Sequence, residues 1–214
     1  MPLEGVETAS KQEKLQIVQH LLLSSPPGEF SEVLRDVMAL VPEDFLSRPM
    51  LTGIARAYNN AHLKVAMAMD GTPVLLGKQG EESPMHYVVS CTGVRVQVDH
   101  VALTAEFSGG GPLLKSQQSN LESERVAVDK AVTAYVATHF AGDCKASAVH
   151  SVDADSKLKV DFSGECVNLR NFWSGNWCSE WTVVLDEGKA AVGGLAKVHA
   201  HYFEDGNVQN CVLH

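Results

Sequence analysis

The spacing of hydrophobic residues along the chain changes near residue 61, from a helical period to a strand period. After Ser10, the residues Leu15, Val18 and Leu22 recur three and four positions apart, which places them on one face of a helix. Ser10 and Glu13 have the spacing of a capping box, in which each side chain binds the other residue's backbone amide. The pattern therefore predicts a first helix that begins just after Ser10.

Prolines divide the rest of the first 60 residues into two further helical pieces. Pro26 and Pro27 end the first helix, because proline lacks an amide donor and clashes with the preceding turn. Ser31 is expected to cap a second helix, and Pro42 to begin a third piece that Pro49 interrupts. The side chains expected to point inward from the second helix are Val33, Leu34, Val37, Leu40 and Val41. Three helices with short loops predict an antiparallel helical stalk.

Residues 61–107 have the features of short strands. Val94, Val96 and Val98 alternate with polar residues, which is typical of a half-buried strand. Residues 80–83 are expected to form a loop. Strands are expected at residues 62–69, 74–77, 85–91 and 94–103. Four short neighbouring strands predict a small antiparallel sheet.

Residues 108–214 combine one long helix with a series of strands. A linker with three consecutive glycines precedes the helical pattern of residues 120–140, whose inward stripe is Val128, Val132, Tyr135, Val136 and His139. Strands are expected at residues 146–152, 157–164, 176–185, 190–202 and 208–213, most simply as an antiparallel meander of five strands. The order of elements predicts an α+β protein, in which segments 1–60, 61–107 and 108–214 form one continuous globular unit.

All three tryptophans of the chain lie in one short stretch, FWSGNWCSEW. Trp173, Trp177 and Trp181 are four residues apart, a spacing that suits one face of a helix and of a strand alike. The β-branched residues that follow favour a strand. The residues expected to share one face of it are Trp177, Ser179, Trp181, Val183 and Leu185. We interpret the tryptophans as structural and not as ligand-binding.

The composition excludes several classes of function. The 214 residues carry a net charge of -9, which argues against non-specific binding to nucleic acid or to anionic membranes. The five cysteines form no Cys-x-x-Cys pair, so free thiols in a reducing compartment are expected. No apolar run approaches the length of a membrane span, and the N-terminus lacks a signal-peptide pattern. These features predict an intracellular protein.

Two groups of residues could carry chemistry. His199 and His201 alternate along a predicted strand, so both point to one face and could begin a metal site, but the further glycine-spaced histidine of such a motif is missing. Cys178 with a histidine and Asp205 could form a thiol hydrolase triad, but a mid-strand position does not stabilise a thiolate. No catalytic residue or cofactor is therefore predicted. The alternative function is a metal- or small-molecule-binding β-rich protein that uses His199 and His201.

Three motifs, in the same order along the chain, resemble the α subunit of the heterodimeric F-actin capping protein. The tryptophan stretch is similar to the family pattern F-W-x-G-R-W-R-S-x-W, although Asn176 and Cys178 replace its basic residues. PPGEF near the N-terminus and YFEDGNVQ near the C-terminus also match. The resemblance gives a structural role to Pro26, Pro27, Gly28, Phe172, Trp173, Gly175, Trp177, Ser179, Trp181, Tyr202, Glu204, Asp205, Gly206 and Asn207.

The resemblance implies a non-enzymatic, cytoplasmic subunit of the actin cytoskeleton. Such α subunits form a heterodimer with a homologous β subunit, and the dimer binds the barbed end of an actin filament and blocks addition and loss of monomers. The family's α chain continues with a long helix and a basic C-terminal tentacle that carry its main actin contacts, and this sequence stops before them. No actin-contact residue is therefore assigned, and the chain by itself is expected to cap weakly or not at all.

The last predicted strand has no following segment in this sequence to cover its free side. Unpaired amides and carbonyls on such a strand are a template for another chain. The resemblance implies that this strand adjoins the final strand of the β subunit and forms one continuous sheet with it. We therefore expect the partner interface at Val208, Gln209, Cys211 and Leu213.

Overall fold

A computed structural model of the chain describes residues 9–108, 120–140, 142, 144–152, 157–168, 172–186, 188–202 and 207–213. The helices in these ranges are α1 (Lys11–Leu23), α2 (Phe30–Leu40), α3 (Arg48–Ala61) and α4 (Glu122–His139). Between α3 and α4 lie β1 (Val65–Ala68), β2 (Pro73–Leu75), β3 (Glu81–Ser83), β4 (His86–Val89), β5 (Val94–Asp99) and β6 (Thr104–Phe107). After α4 come β7 (Lys145–Val152), β8 (Lys157–Asn168), β9 (Trp173–Asp186), β10 (Lys189–Tyr202) and β11 (Asn207–Leu213). This order confirms the predicted α+β class.

Helix α1 starts where the sequence predicts, because Ser10 and Glu13 cap each other. The Ser10 amide donates to Glu13 Oε2 at 2.8 Å, and the Glu13 amide donates to Ser10 Oγ at 3.3 Å. The helix ends before Ser24, whose hydroxyl donates to the His20 carbonyl at 2.7 Å. The predicted capping box is therefore confirmed.

Helices α2 and α3 do not begin as predicted. α2 starts at Phe30, one residue before the expected cap Ser31, because Gly28 adopts a φ of 80° and turns the chain directly into the helix. Phe30 is then buried against Tyr58 of α3, with ring centroids 4.8 Å apart. Pro49 does not interrupt a helix but lies in the first turn of α3, where a missing amide donor is tolerated.

The three N-terminal helices share one apolar core. Its buried side chains include Val18, Leu22, Phe30, Val37, Ile54, Ala55 and Tyr58. Two predictions about this region are wrong. Pro42 lies in the non-helical connection between α2 and α3, and Leu40 is 83% exposed because α2 ends there and its last side chain extends past the core.

The small sheet contains six strands among the described residues, in the order β2-β1-β6-β5-β4-β3. The prediction of four antiparallel strands is wrong in two respects, since residues 81–83 form β3 and β1 pairs in parallel with β6. The parallel pair arises because the predicted strand at residues 94–103 is divided after Asp99. Asp99 Oδ1 accepts from the amides of Val101 and Ala102 at 2.9 and 3.1 Å, which turns the chain into β6.

The central sheet contains five antiparallel strands among the described residues, in the order β11-β10-β9-β8-β7, which confirms the predicted meander. α4 packs across β7 and β8. Val128, Val132 and Val136 face this sheet as predicted. Tyr135 is 50% exposed but still reaches the sheet, since its ring meets Phe162 of β8 edge to face with centroids 6.1 Å apart. His139 is exposed and packs on the Tyr135 ring with centroids 4.4 Å apart, so its predicted inward position is wrong.

The opposite face of the central sheet packs against the small sheet. The residues in this contact are Leu63, Val65, Leu75, Ala146, Ala148 and Cys178. Cys178 is buried there, whereas the other four cysteines are exposed. α4 therefore packs on one side of the central sheet, across β7 and β8, and the small sheet packs on the other.

Strand β9 begins at Trp173, three residues before the predicted start, and its side chains alternate as predicted. Trp181, Val183 and Leu185 lie on the α4 side, and Cys178 lies on the other side. The ring of Trp181 covers Gly194 of β10, where an added Cβ atom would come within 2.6 Å of the ring's Cδ2 atom.

The other two tryptophans differ in burial. Trp177 Nε1 donates to Ser179 Oγ at 2.7 Å, and its ring meets Phe140 edge to face with centroids 6.2 Å apart. Trp173, at the start of β9, is 48% exposed. The three rings are therefore not equivalent members of one core.

We predict that Trp181→Ala lowers the free energy of unfolding by about 2–4 kcal/mol, because it removes a large ring packed over Gly194. Trp173→Ala is the matched control, since it removes the same side chain from a half-exposed position and is expected to cost less than half as much. Urea denaturation of both variants measures the difference. Equal losses in the two variants would contradict the assigned packing.

Candidate functional site: an open sheet edge and the junction behind it

Strand β11 forms an edge of the central sheet that no described strand covers. It pairs with β10 along its whole length, from Asn207 opposite Tyr202 to Leu213 opposite Ala196. We call β11 the open edge. Its Val212 and Leu213 side chains are 49% and 52% exposed, and the side chains of Val208 and Gln209 lie outside the described atoms.

The open edge lacks the features that normally protect an edge strand. Its sequence, NVQNCVL, contains no charged residue and no proline. The opposite edge of the central sheet, β7, differs because α4 and β2 both pack against it. Among the described residues, no strand pairs with the backbone groups on the free side of β11.

Exposed apolar side chains also lie on one side of the sheet near the open edge. Val192 on β10 is 64% exposed and lies opposite the half-buried Val183 of β9. Leu213 lies on the same side of the sheet, because it pairs with Ala196, four residues after Val192. We call Val183, Val192 and Leu213 the open face.

The PPGEF loop meets the central sheet behind the open edge. Ser174 Oγ on β9 donates a hydrogen bond to the Pro27 carbonyl at 2.8 Å. His201 Nδ1 on β10 pairs with Glu29 Oε1, and both side chains are mostly buried. The loop between α1 and α2 is thereby held by two neighbouring strands.

Gly28 marks the closest approach of this loop to the sheet. A Cβ atom at Gly28 would lie 2.5 Å from Val167 Cγ2 and 3.2 Å from Glu165 Oε1. Lys64 Nζ pairs with Glu165 Oε2, and the two side chains are only 6% and 11% exposed. Removal of one partner of a buried pair leaves an uncompensated charge. The residues that we call the junction are Pro27, Gly28, Glu29, Lys64, Glu165, Ser174 and His201.

The junction brings together motifs that lie far apart in the sequence. Ser174 belongs to the tryptophan motif and contacts the PPGEF motif, and the ring of Trp173 packs on Tyr202 with centroids 4.8 Å apart. Phe172, just before β9, is 48% exposed and has a φ of 60°. Glu204, Asp205 and Gly206 lie outside the described residues. A structural role for the individual motif residues stays a prediction, and the contacts at the junction are consistent with it.

His199 and His201 share one face of β10, but they make different contacts. His201 pairs with Glu29, whereas the His199 ring lies against His62, with centroids 5.4 Å apart. Burial, helped by the neighbouring His199, lowers the pKa of His62 to about 4. In the described ranges, no group of three or more His, Cys, Asp or Glu side chains could hold a metal ion. The metal-binding alternative therefore receives no support.

The geometry does not favour a nucleophilic thiol at Cys178. Its side chain is buried between the sheets, and burial raises the pKa of the thiol to about 11. A thiol with this pKa carries almost no thiolate near neutral pH. Asp205, the proposed third member of a triad, lies outside the described residues.

Comparison with known proteins places this architecture in a family. Residues 18–212 match the family model described as F-actin capping protein alpha subunit. The chain belongs to this family. It is 34% identical over 206 residues to the F-actin-capping protein subunit alpha of Dictyostelium discoideum, covering 94% of this chain and 71% of that protein. The Caenorhabditis elegans protein of the same name is 25% identical over 205 residues, covering 94% and 70%.

A solved structure shares the fold. The homodimeric actin capping protein alpha subunit from Plasmodium berghei superposes with a TM-score of 0.73 at 20% sequence identity, covering 94% of this chain and 77% of that chain. At this identity the similarity shows the fold alone. In the described part of this capping-family chain, no helix is long and apolar enough to cross a membrane.

Sequence reasoning found the open edge but missed most of the junction. Lys64 and Glu165 lie 101 residues apart, and neither stands in a motif. His201 was considered only as a metal ligand, although its partner is Glu29 of the PPGEF motif. One feature of the sequence could have indicated this pairing. PPGEF contains a charged residue, Glu29, which needs a partner once the loop is buried.

We predict that Gly28→Ala destabilises the protein more than Gly71→Ala does. Both glycines have a similar φ, 80° and 84°, so both substitutions carry the same backbone strain. Only Gly28 is also crowded, by Val167, whereas an added Cβ atom at Gly71 meets nothing within 4 Å. The extra loss in the Gly28 variant should be about 1–3 kcal/mol by overpacking, measured by chemical denaturation. Equal losses would show that the loop does not touch the sheet as described.

Proposed function

We propose that this chain is the α subunit of an F-actin capping heterodimer, which binds filament barbed ends and blocks addition and loss of monomers there. The observation that carries the proposal is the open edge, in a chain whose residues 18–212 match the capping protein alpha subunit family. In this proposal the chain is a non-enzymatic component of the cytoplasmic actin cytoskeleton. Its segments 1–60, 61–107 and 108–214 act as one unit, and its partner is a capping protein β subunit.

The open edge supports a partner that binds as an added strand. A strand laid against β11 would pair with the amides and carbonyls of residues 207–213, and alternate side chains would pack on the two faces of the sheet. Val212 and Leu213 point to opposite faces and are both about half exposed. An added strand with apolar side chains would cover both of them.

The open face supports the same partner. Leu213 on β11 and Val192, further along β10, are exposed on the α4 side of the sheet. A partner that extends the sheet can therefore bury this surface as well, which adds apolar contact to the backbone hydrogen bonds.

A second copy of this chain is the alternative partner. The Plasmodium berghei relative is named homodimeric, and the open edge carries no charge that would oppose a self-pairing. Two copies would meet about a twofold axis through the same strand. Co-expression with a capping protein β subunit, followed by size-exclusion chromatography with light scattering, distinguishes a heterodimer from a homodimer.

We predict that a proline at one of two adjacent positions in β11 abolishes assembly with the β subunit. Successive amides in a strand point to opposite sides, so one of Val208→Pro and Gln209→Pro removes a donor to β10, and the other removes a donor on the free side. The variant that removes the donor on the free side should stay folded and should no longer bind the β subunit in a co-expression pull-down. Val208→Thr is the control, since it keeps the amide donor.

Circular dichroism checks that each proline variant retains its helices and strands. If both folded proline variants bound the β subunit as well as the unmodified chain, the interface would lie elsewhere and the proposal for the open edge would fail.

We further predict that the assembled dimer slows elongation from actin filament seeds, and that the chain by itself does so weakly or not at all. We expect the isolated chain to be less active than the dimer because its open edge and open face are not covered by a partner strand. A seeded pyrene-actin assay with matched concentrations measures both. Strong barbed-end inhibition by the isolated chain would show that partner assembly is not required.

A further inference from the structure

A carboxylate is buried in the contact between the two sheets. Asp161 lies in the middle of β8 and is 5% exposed, on the face that meets the small sheet. An added Cβ atom on Gly77, just after β2, would lie 3.6 Å from Asp161 Oδ2, so this segment covers the carboxylate. The apolar side chains of the same contact are Leu63, Val65, Leu75, Ala146, Ala148 and Cys178. An ionised group in such surroundings is unfavourable unless it is paired.

The groups opposite Asp161 in the sheet do not pair with it. On β9 it faces Glu180, a second carboxylate, and on β7 it faces Ala148. Glu180 is exposed and has its own partner, with its Oε2 3.8 Å from Lys197 Nζ. Like charges directly opposite each other in a sheet are destabilising. Within the described part of the chain, no hydrogen bond to the Asp161 carboxylate is found.

Other charged groups surround this position. Lys159 lies two residues earlier on the same face of β8, and His150 lies opposite Lys159 on β7. In the covering segment, Lys78 follows Gly77. Lys64, just before β1, is already paired with Glu165. Lys159 is the cation that acts on Asp161, and it opposes the effect of burial only in part.

The titration of Asp161 therefore differs between the folded and unfolded chain. Burial, with a further contribution from Glu180, raises the pKa of Asp161 from 3.8 to about 7. The bound proton stabilises the fold fully below pH 3.8, and this contribution is lost as the pH rises through about 7. His62 and His150 act in the opposite sense, since burial lowers the pKa of each from 6.5 to about 4, and their contribution is lost as the pH falls through this range.

We infer that the contact between the small sheet and the central sheet is a proton-dependent latch, closed while Asp161 carries a proton and loosened when Asp161 ionises. The covering segment at Gly77 has no side chain over the carboxylate, so displacement of this short stretch would admit water to Asp161. The small sheet is joined through β1 to the helical stalk, and the central sheet carries the open edge. Solution pH therefore controls how firmly these two halves hold together. This inference is independent of the proposed actin-capping function.

Cys178 is a probe of the latch within the chain, because it is 3% exposed in the same contact. In a variant with serine at the four exposed cysteines, the rate of thiol labelling at Cys178 reports opening of the contact. The rate measured with Asp161 is divided by the rate measured in the same variant with Asp161→Asn. This ratio cancels the intrinsic pH dependence of the thiol and the contributions of the histidines, which are the same in both proteins. We expect a ratio near one below about pH 4 that rises by up to about tenfold per pH unit between pH 4 and pH 7, as for release of one proton on opening, and that levels off above pH 7.

Two controls make the result specific. Asp44→Asn neutralises an exposed carboxylate. It should leave the rate of Cys178 labelling at each pH the same as in the chain that has Asp44 and the same four serine substitutions. Glu180→Gln removes the opposing carboxylate, which lowers the pKa of Asp161 in the folded chain, so the rise should level off at a lower pH. A carbon-13 NMR titration of the Asp161 carboxyl in the unmodified chain provides a check that needs no variant. Equal labelling of Cys178 with and without Asp161 at every pH, or an Asp161 midpoint near pH 4, would overturn the inference.

Discussion

The structure depends on the close approach of the PPGEF loop to the central sheet. Gly28 allows this approach, because a side chain at its position would collide with Val167. Once the loop is seated, Glu29 and Lys64 lose water and need partners, which His201 and Glu165 supply. The stalk helices are thereby joined to the same strands that lead to the open edge.

The same approach brings together motifs that lie far apart in the sequence. The tryptophan motif contributes Ser174, which binds the Pro27 carbonyl, and Trp173, which packs on Tyr202. A structural role of the motif residues, through contacts of this kind, stays a prediction.

The sequence predicted the features that depend on local patterns. The capping box at Ser10 and the meander of the central sheet were predicted because hydrogen-bonding spacing and alternation are local properties. The start of α2, the parallel pairing of β1 with β6 and the exposed position of His139 were not, because each is decided by distant packing. The same limit applies to the site. The open edge follows from strand order, whereas the pairing of Lys64 with Glu165 depends on a fold that brings together residues 101 positions apart.

The central claim is that the free side of β11 is completed by a partner strand, and amide hydrogen exchange tests it most directly. In the free chain, the amides of β11 that bond to β10 should be protected, and the alternate amides should exchange rapidly. On addition of a capping protein β subunit, the rapidly exchanging amides of residues 207–213 should become protected while those of α1 to α3 change little. An unchanged alternating pattern in β11, in a complex that demonstrably forms, would contradict the claim.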